Sequence, residues 1–300
     1  MVEPSLSKPE TLPPDVIKER LTTRLASKLS SGPIYAFLIV VSLIWITPTV
    51  GLFISSLRSR TEISGSGWWT VLANPGQLTF DNYRALLQNN RIISSFWNTV
   101  FISVPATILV VVISAMAAYA FAFIRFPGRD GVFLVVVGLL VVPIQVALIP
   151  IAQLYGKLHI FGQVSGVVLF HVAFGLPLGI FLLRNFFNGI PTELLEAARM
   201  DGAGEMRLFI KVVLPLGLPA IASLAIFQFL WVWNDLLVAL IFANTDSAPL
   251  TVAIREQTRQ FGSNIDVIAP GAFLSMLVPL AVFFAFQRFF VQGLLAGSSK

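Results

Sequence analysis

The 300-residue chain has no cysteine, and only 12% of its residues carry charge. The first absence excludes disulfides, thiolate metal sites and cysteine nucleophiles. The second excludes an ordinary soluble domain, because so little charge would leave apolar patches far beyond the few hundred square ångströms or so that soluble monomers expose. Histidine is nearly absent too. His159 and His171 lie twelve apart with no metal-ligand spacing around them, so packing or interfacial placement is the better reading. No HExxH or GxSxG pattern is present to suggest an embedded enzyme. What the chain does have is 56% hydrophobic residues, 26 of them phenylalanine, and a mean hydropathy of +0.83. That composition belongs to a polytopic membrane protein with many side chains facing lipid.

Six apolar stretches are long enough to cross a hydrocarbon core of about 30 Å, which takes roughly 20 helical residues. They lie at 34–57, 98–124, 132–155, 164–187, 215–243 and 267–291. The fifth is too long for one straight crossing, and Pro215 and Pro219 suggest that it starts at the interface as a kinked lead-in. The expected class is therefore an all-α membrane protein with six transmembrane helices over 33–296, preceded by a polar leader, 1–32. In the leader, four prolines within 3–14 argue for disorder, and the Lys/Arg-rich stretch at 18–28 argues for an interfacial amphipathic helix. No small-residue cleavage pattern follows, so the first apolar stretch reads as a retained anchor.

Orientation follows from the basic residues. Lys8, Lys18, Arg20, Arg24, Lys28, Arg125, Arg129, Arg184, Arg199, Arg207, Lys211, Arg288 and Lys300 fall on the leader side; Arg58, Arg60, Arg84, Arg91, Lys157, Arg255 and Arg259 fall opposite. Thirteen against seven puts both termini in the cytoplasm and makes the net charge of +5 mainly a topology signal. Nucleic-acid binding would need a clustered basic face with stacking aromatics, and none is visible.

On the outer side, residues 58–96 hold Trp68-Trp69, a turn at Asn74-Pro75-Gly76, and a short stretch in which Phe80, Tyr83 and Leu87 share a helical face. Such aromatics suit a headgroup anchor or a contact surface for an external protein. A second outer loop, 244–266, carries Arg255, Glu256 and Gln257, polar enough to meet a solute-binding protein or simply to be solvated.

On the inner side, Pro191 and Thr192 suit a helix start, with Glu193 and Glu196 near its positive end. Ala197 and Ala198 permit close approach by another protein, and Gly202 can end or bend the helix. A second helix from Gly204 or Glu205 would lead through Lys211 into the next span. Taken alone, Glu196 and Asp201 also fit a solvated loop with dipole-complementing charges.

The spacing is more specific than its parts. Glu196-Ala197-Ala198, three residues, Gly202, nine residues, Val212, one residue, then Leu214-Pro215 resembles the cytoplasmic motif of ABC importer permease subunits, with Val212 where isoleucine is usual. Pro143-Ile144-Gln145-Val146 through Ile149-Pro150, Trp233-Asn234-Asp235 and Pro249-Leu250-Thr251-Val252 resemble the carbohydrate-uptake branch, in particular its MalG-type subunit. The resemblance covers most of 34–295. It implies a type I importer permease fold (MetI-like) and, at 189–213, a coupling-helix loop in which Glu196, Ala197, Ala198, Arg199, Asp201 and Gly202 dock on an ATPase. It also implies a second, MalF-like permease subunit, an ATPase dimer that binds ATP and Mg itself, an external solute-binding protein, and a sugar cargo. No catalytic residue, metal or cofactor is expected in this chain.

Asn234 and Asp235 lie within an apolar stretch, where a carboxylate costs about 2.5–3.5 kcal/mol unless it meets water or a partner. They either line the translocation path or fix a packing contact. The resemblance tips the reading slightly to packing or gating, since the sugar pocket of maltose-like systems lies in the other permease subunit. Gln145, between two prolines, is a further path candidate. The alternatives are a secondary transporter, for which Asp235 alone is thin support, and a permease for a non-sugar solute such as a glycerol phosphodiester.

Overall fold

The computed structural model describes the backbone of residues 14–259 and 264–298, with side chains over 32–257 and 264–287. The expected disorder at the start of the leader falls on 1–13, outside the described residues. Two compact units divide the chain, 1–54 and 55–300. The first is essentially one helix, α1 (Pro14–Ser56), which runs unbroken past residue 32. Its span-like part, Gly32–Ser56, shows Ile34, Phe37, Ile44 and Trp45 on its surface. A helix that is apolar all round is what lipid selects.

The second unit begins with α2 (Arg60–Gly65), two tight turns (Trp68–Leu72 and Pro75–Gln77) and α3 (Asp81–Gln88). They are organised around Arg58, only 1% exposed. Its Nε donates to Gln77 Oε1 at 2.9 Å, and its Nη atoms donate to the carbonyls of Ser66 at 3.1 Å and Glu62 at 2.9 Å. Asn82 donates to the carbonyls of Ser56 and Arg58, and Tyr83 shares a 2.7 Å bond with Ser56. Phe80 and Leu87 remain exposed, Tyr83 is half-buried against Ser56, and Leu86 is buried with Ile92, Leu250 and Ala253, so the expected shared face of Phe80, Tyr83 and Leu87 is only partly outward.

Helix α4 (Asn90–Phe123) starts eight residues before the expected 98, because Asn89 caps it by accepting from the amides of Arg91 and Ile92. Ser95, Thr99, Ser103 and Thr107 recur every four residues along its buried face, with Ser114 two turns beyond. The helix packs closely on α7 (Val164–Phe187), which matches the expected fourth span at both ends. A Cβ on Gly179 would collide with Ser114, and one on Gly175 would lie 2.7 Å from Gln228 Oε1. Such glycines let membrane helices approach without large side chains between them.

Two of the expected spans need correction. The third, 132–155, is not a single straight helix: α5 (Arg129–Leu139) and α6 (Ile144–Lys157) meet at a bend of 99°. Pro143 cannot donate to the preceding turn, and its ψ of 131° takes the backbone out of the helix. The fifth, 215–243, breaks at its far end and not at its start. After α8 (Thr192–Met200) and α9 (Glu205–Leu208), a wide π-type turn at Phe209–Val213 runs straight into α10 (Leu214–Trp233). Pro215 falls in the first turn of α10, where a missing N–H costs little, and the wide turn before it absorbs the strain. The break comes at Asn234, before α11 (Leu237–Phe242). Among the described residues, five helices are long and apolar enough to cross a membrane, or six if the bent pair counts as one.

The second outer loop is also more ordered than expected. It contains α12 (Leu250–Arg259), followed by α13 (Ile265–Ser298), which packs on α10, α12 and α3. Trp233, 1% exposed, donates from Nε1 to the Ser275 carbonyl of α13 at 2.9 Å.

Candidate functional site

Helix α8 is held to the rest of the second unit by Leu195, with Ala198 packed beside it. Leu195 is 1% exposed and joins a cluster with Tyr119, Leu183, Phe187, Leu208 and Val213. Glu196, Ala197, Arg199, Asp201 and Gly202 are exposed, Ala198 is half-buried, and Met200 is 89% exposed. Among the described residues Glu193, Glu196 and Asp201 make no ion pair within the chain. The helix ends as the amides of Asp201, Gly202 and Ala203 turn back on the carbonyls of Ala197, Arg199 and Ala198. Gly202 has φ +79°, a left-handed value that disfavours other residues. The chain then re-enters helix at Glu205, whose carboxylate pairs with Arg199 at 3.1 Å and accepts from the Tyr119 hydroxyl.

Asn234 and Asp235, adjacent in sequence, face different surroundings. The Asn234 amide donates to the Leu230 carbonyl at 2.8 Å and borders an open cavity of about 600 Å³ shared with Thr251, Ser275, Met276 and Phe283. The Asp235 side chain, 11% exposed, points into the bundle. It accepts from the amides of Val238 at 3.3 Å and Ala239 at 3.0 Å, capping α11, and lies 3.6 Å from Nε2 of the fully buried His171. Its backbone carbonyl accepts from Thr251 at 2.7 Å. A carboxylate deep in an apolar segment is thus provided with amide donors and an imidazole neighbour. Asp235→Ala is expected to lower the melting temperature of the detergent-purified protein, losing the roughly 1 kcal/mol typical of a cap. An unchanged melting curve would show that the two amides find other acceptors.

The remaining candidates are dispersed. Gln145 sits exposed in the first turn of α6, and no hydrogen bond joins it to Asn234 or Asp235 among the described residues. On α12, Glu256 is paired with Arg91 of α4 at 3.1 Å, and Gln257 accepts from Asn264 at 3.2 Å. Arg255 is half-buried. Two of those three residues are therefore engaged inside the chain.

Three features escaped the sequence reading. Arg58 was counted only as a loop charge. His171 stands beside Asp235, although 64 positions separate them; the signal was the scarcity of polar groups in the apolar segments. The Ser/Thr residues of α4 were visible as a four-residue period within an apolar run.

Residues 91–295 match the family described as the binding-protein-dependent transport system inner membrane component. The chain belongs to this family. Among curated proteins it is 48% identical to an osmoprotective compounds uptake permease protein of Synechocystis sp., over 89% of this chain and 92% of that one. It is 36% identical to the alpha-glucoside transport system permease protein of Rhizobium meliloti, over 89% of this chain and 96% of that one. Among solved structures it resembles a chain of a bacterial ABC transporter involved in the import of the acidic polysaccharide alginate. The TM-score is 0.74 at 22% identity, with 88% of this chain and 98% of that chain covered. The fold is that of a type I ABC importer permease. As a transport-system inner membrane component the protein is a membrane subunit and not an enzyme. The loop at 189–213, the break at Asn234 and helix α12 all fall within the matched residues, and membership disfavours the secondary-transporter alternative.

Proposed function

We propose that this permease subunit carries a sugar of disaccharide or short-oligosaccharide size into the cell, driven by ATP hydrolysed on a separate ATPase dimer. The observation that carries the reading is α8: a short helix whose exposed Glu193, Glu196 and Asp201 make no ion pair among the described residues, pinned by Leu195 and joined by the Gly202 turn to α9, which runs through the wide turn into α10. Such a helix can sit in a cleft of another protein and pass that protein's motion to a span. In this reading Glu196, Ala197, Ala198, Arg199, Asp201 and Gly202 form the docking surface, and both termini lie with it in the cytoplasm.

The rest of the assembly is a MalF-like second permease subunit, an ATPase pair that holds ATP and Mg²⁺, and an external solute-binding protein. Arg255, Glu256 and Gln257 form the face that meets the binding protein; the exposed side of Arg255 is the part least committed to internal bonds. Asn234 and Gln145 border the path, with Asp235 holding the α10–α11 break that shapes it. A sugar is the cargo because relatives are named for alpha-glucosides, arabinooligosaccharides and trehalose. The relative named for osmoprotective compounds supports a second reading, a small polyhydroxylated osmoprotectant.

Affinity purification of the tagged chain from its native membranes, with mass spectrometry of the eluate, tests the assembly. An ATPase, a second permease and a solute-binding protein should elute together, and calorimetric titration of that binding protein with α-glucosides then tests the cargo. Elution of the chain alone would remove the basis for coupling.

A further inference from the structure

We infer that Glu205 is a positioning residue that joins the coupling loop to α4, with Tyr119 as its anchor in the bundle. The inference rests on the coupling reading above and extends it: the motif accounts for a link from the loop to α10, whereas this joint delivers the same motion to a second span.

The geometry makes one carboxylate serve two elements. From the start of α9, Glu205 takes the Arg199 guanidinium of α8 at 3.1 Å and the hydroxyl of Tyr119 near the end of α4, 86 residues away. Arg199 and Glu205 flank Gly202, where a Cβ would meet nothing within 4 Å, while Ala203 beside it packs on the cluster beneath. Their ion pair closes the turn and makes α8 and α9 one body.

Tyr119 is a firm anchor. It is 5% exposed, in the same cluster as Leu195, with its ring centred 5.5 Å from Phe123 and 5.2 Å from Phe209. Its ring packs on Phe209 and the cluster, and its hydroxyl is the part that reaches the Glu205 carboxylate. Leu195 resists lifting of α8 but tolerates rotation, since apolar contact is non-directional. Hydrogen bonds to a charged oxygen are directional and short, so they resist both. The Arg199 and Glu205 side chains are 40% and 49% exposed, and exposed pairs add little to stability. Loss of the joint should therefore appear in transmitted motion and not in folding.

The test uses the assembled transporter, with any cysteines of the partner chains replaced. Because this chain has no cysteine, spin labels can be placed at Met116→Cys on α4 and Met206→Cys on α9, both exposed positions. With Tyr119 and Glu205 intact, the distance between labels should hold when ATP and Mg²⁺ are added. In Tyr119→Phe and in Glu205→Gln it should shift or broaden on ATP addition, with complex yield and melting temperature unchanged. The double variant should be no worse than Glu205→Gln alone, since both act on one joint. A distance that moves with ATP before either substitution, or holds after both, overturns the joint. Loss of assembly in both variants assigns the residues to packing and overturns it as well. A purified complex without ATPase activity would instead sink the coupling reading, and the joint with it.

Discussion

Gly202→Asn is expected to leave the subunit folded and co-purifying with its partners while cutting ATP-driven uptake at least about tenfold, the factor that about 1.4 kcal/mol of lost interaction brings. The φ of +79° at this position is tolerated by asparagine better than by other non-glycine residues. Inside the chain an added Cβ meets nothing within 4 Å. The variant therefore has little reason to misfold. What it introduces is a side chain on a backbone segment that, in the coupling reading, presses against another protein. Gly202→Asp adds charge at the same contact and should also abolish substrate-stimulated ATP hydrolysis. Gly202→Val, whose β-branch resists a left-handed backbone, should strain the turn as well and lower yield. Uptake by Gly202→Asn equal to that of the parent would mean that no partner approaches this turn.

Arg58→Met should have the largest effect on stability, about 3 kcal/mol, since it removes several hydrogen bonds from a buried charged donor and such bonds contribute about 1.5–3 kcal/mol each. Removing the guanidinium takes the donor from the Ser66 carbonyl and one donor each from the Glu62 carbonyl, which keeps the Ser66 amide, and from the Gln77 amide oxygen, which keeps the Thr70 hydroxyl. Arg58→Lys should rescue little, since one ammonium cannot reach partners arranged around a planar fork. Arg60→Ala, on an exposed neighbour, should stay within about 0.5 kcal/mol. Melting temperature and protease cleavage within 58–89 would report the difference. Equal melting of the Arg58 and Arg60 variants would show that the turns are held by Asn82 and Tyr83 instead.

The parts legible in the sequence were those set by local pattern. The apolar run of α7 is bounded by polar residues at both ends, and it was placed to the residue. The inner loop was legible because Pro191, the alanine pair and Gly202 each have a local conformational role, and their spacing to Leu214-Pro215 is hard to produce by chance. The bend in the third span was missed because a hydropathy average passes over Pro143 without registering that the chain turns there. The fifth was misplaced because its prolines are conspicuous, yet Pro215 occupies a first turn where it does no harm. The break belongs to Asp235, whose cap on α11 depends on where the chain goes next. Arg58 and Glu205 were illegible for a shared reason: several residues near each could have served as partners, and which ones do depends on how the chain turns between them and, for Glu205, on Tyr119 of α4.

The 99° bend between α5 and α6 bears on how the protein is made. At 11 and 14 residues, the two helices extend only roughly 16 Å and 21 Å, each short of a hydrocarbon core of about 30 Å. Neither can settle across a bilayer by itself. Their footholds are Phe133, which meets Phe121 and the Arg184 guanidinium, and Tyr155, which meets Phe242. Phe121 is already in the membrane when α5 leaves the ribosome, but Arg184 and Phe242 have yet to be synthesised. The contacts that hold this segment to the bundle are thus completed only by later parts of its own chain, so errors of biogenesis are expected to concentrate there.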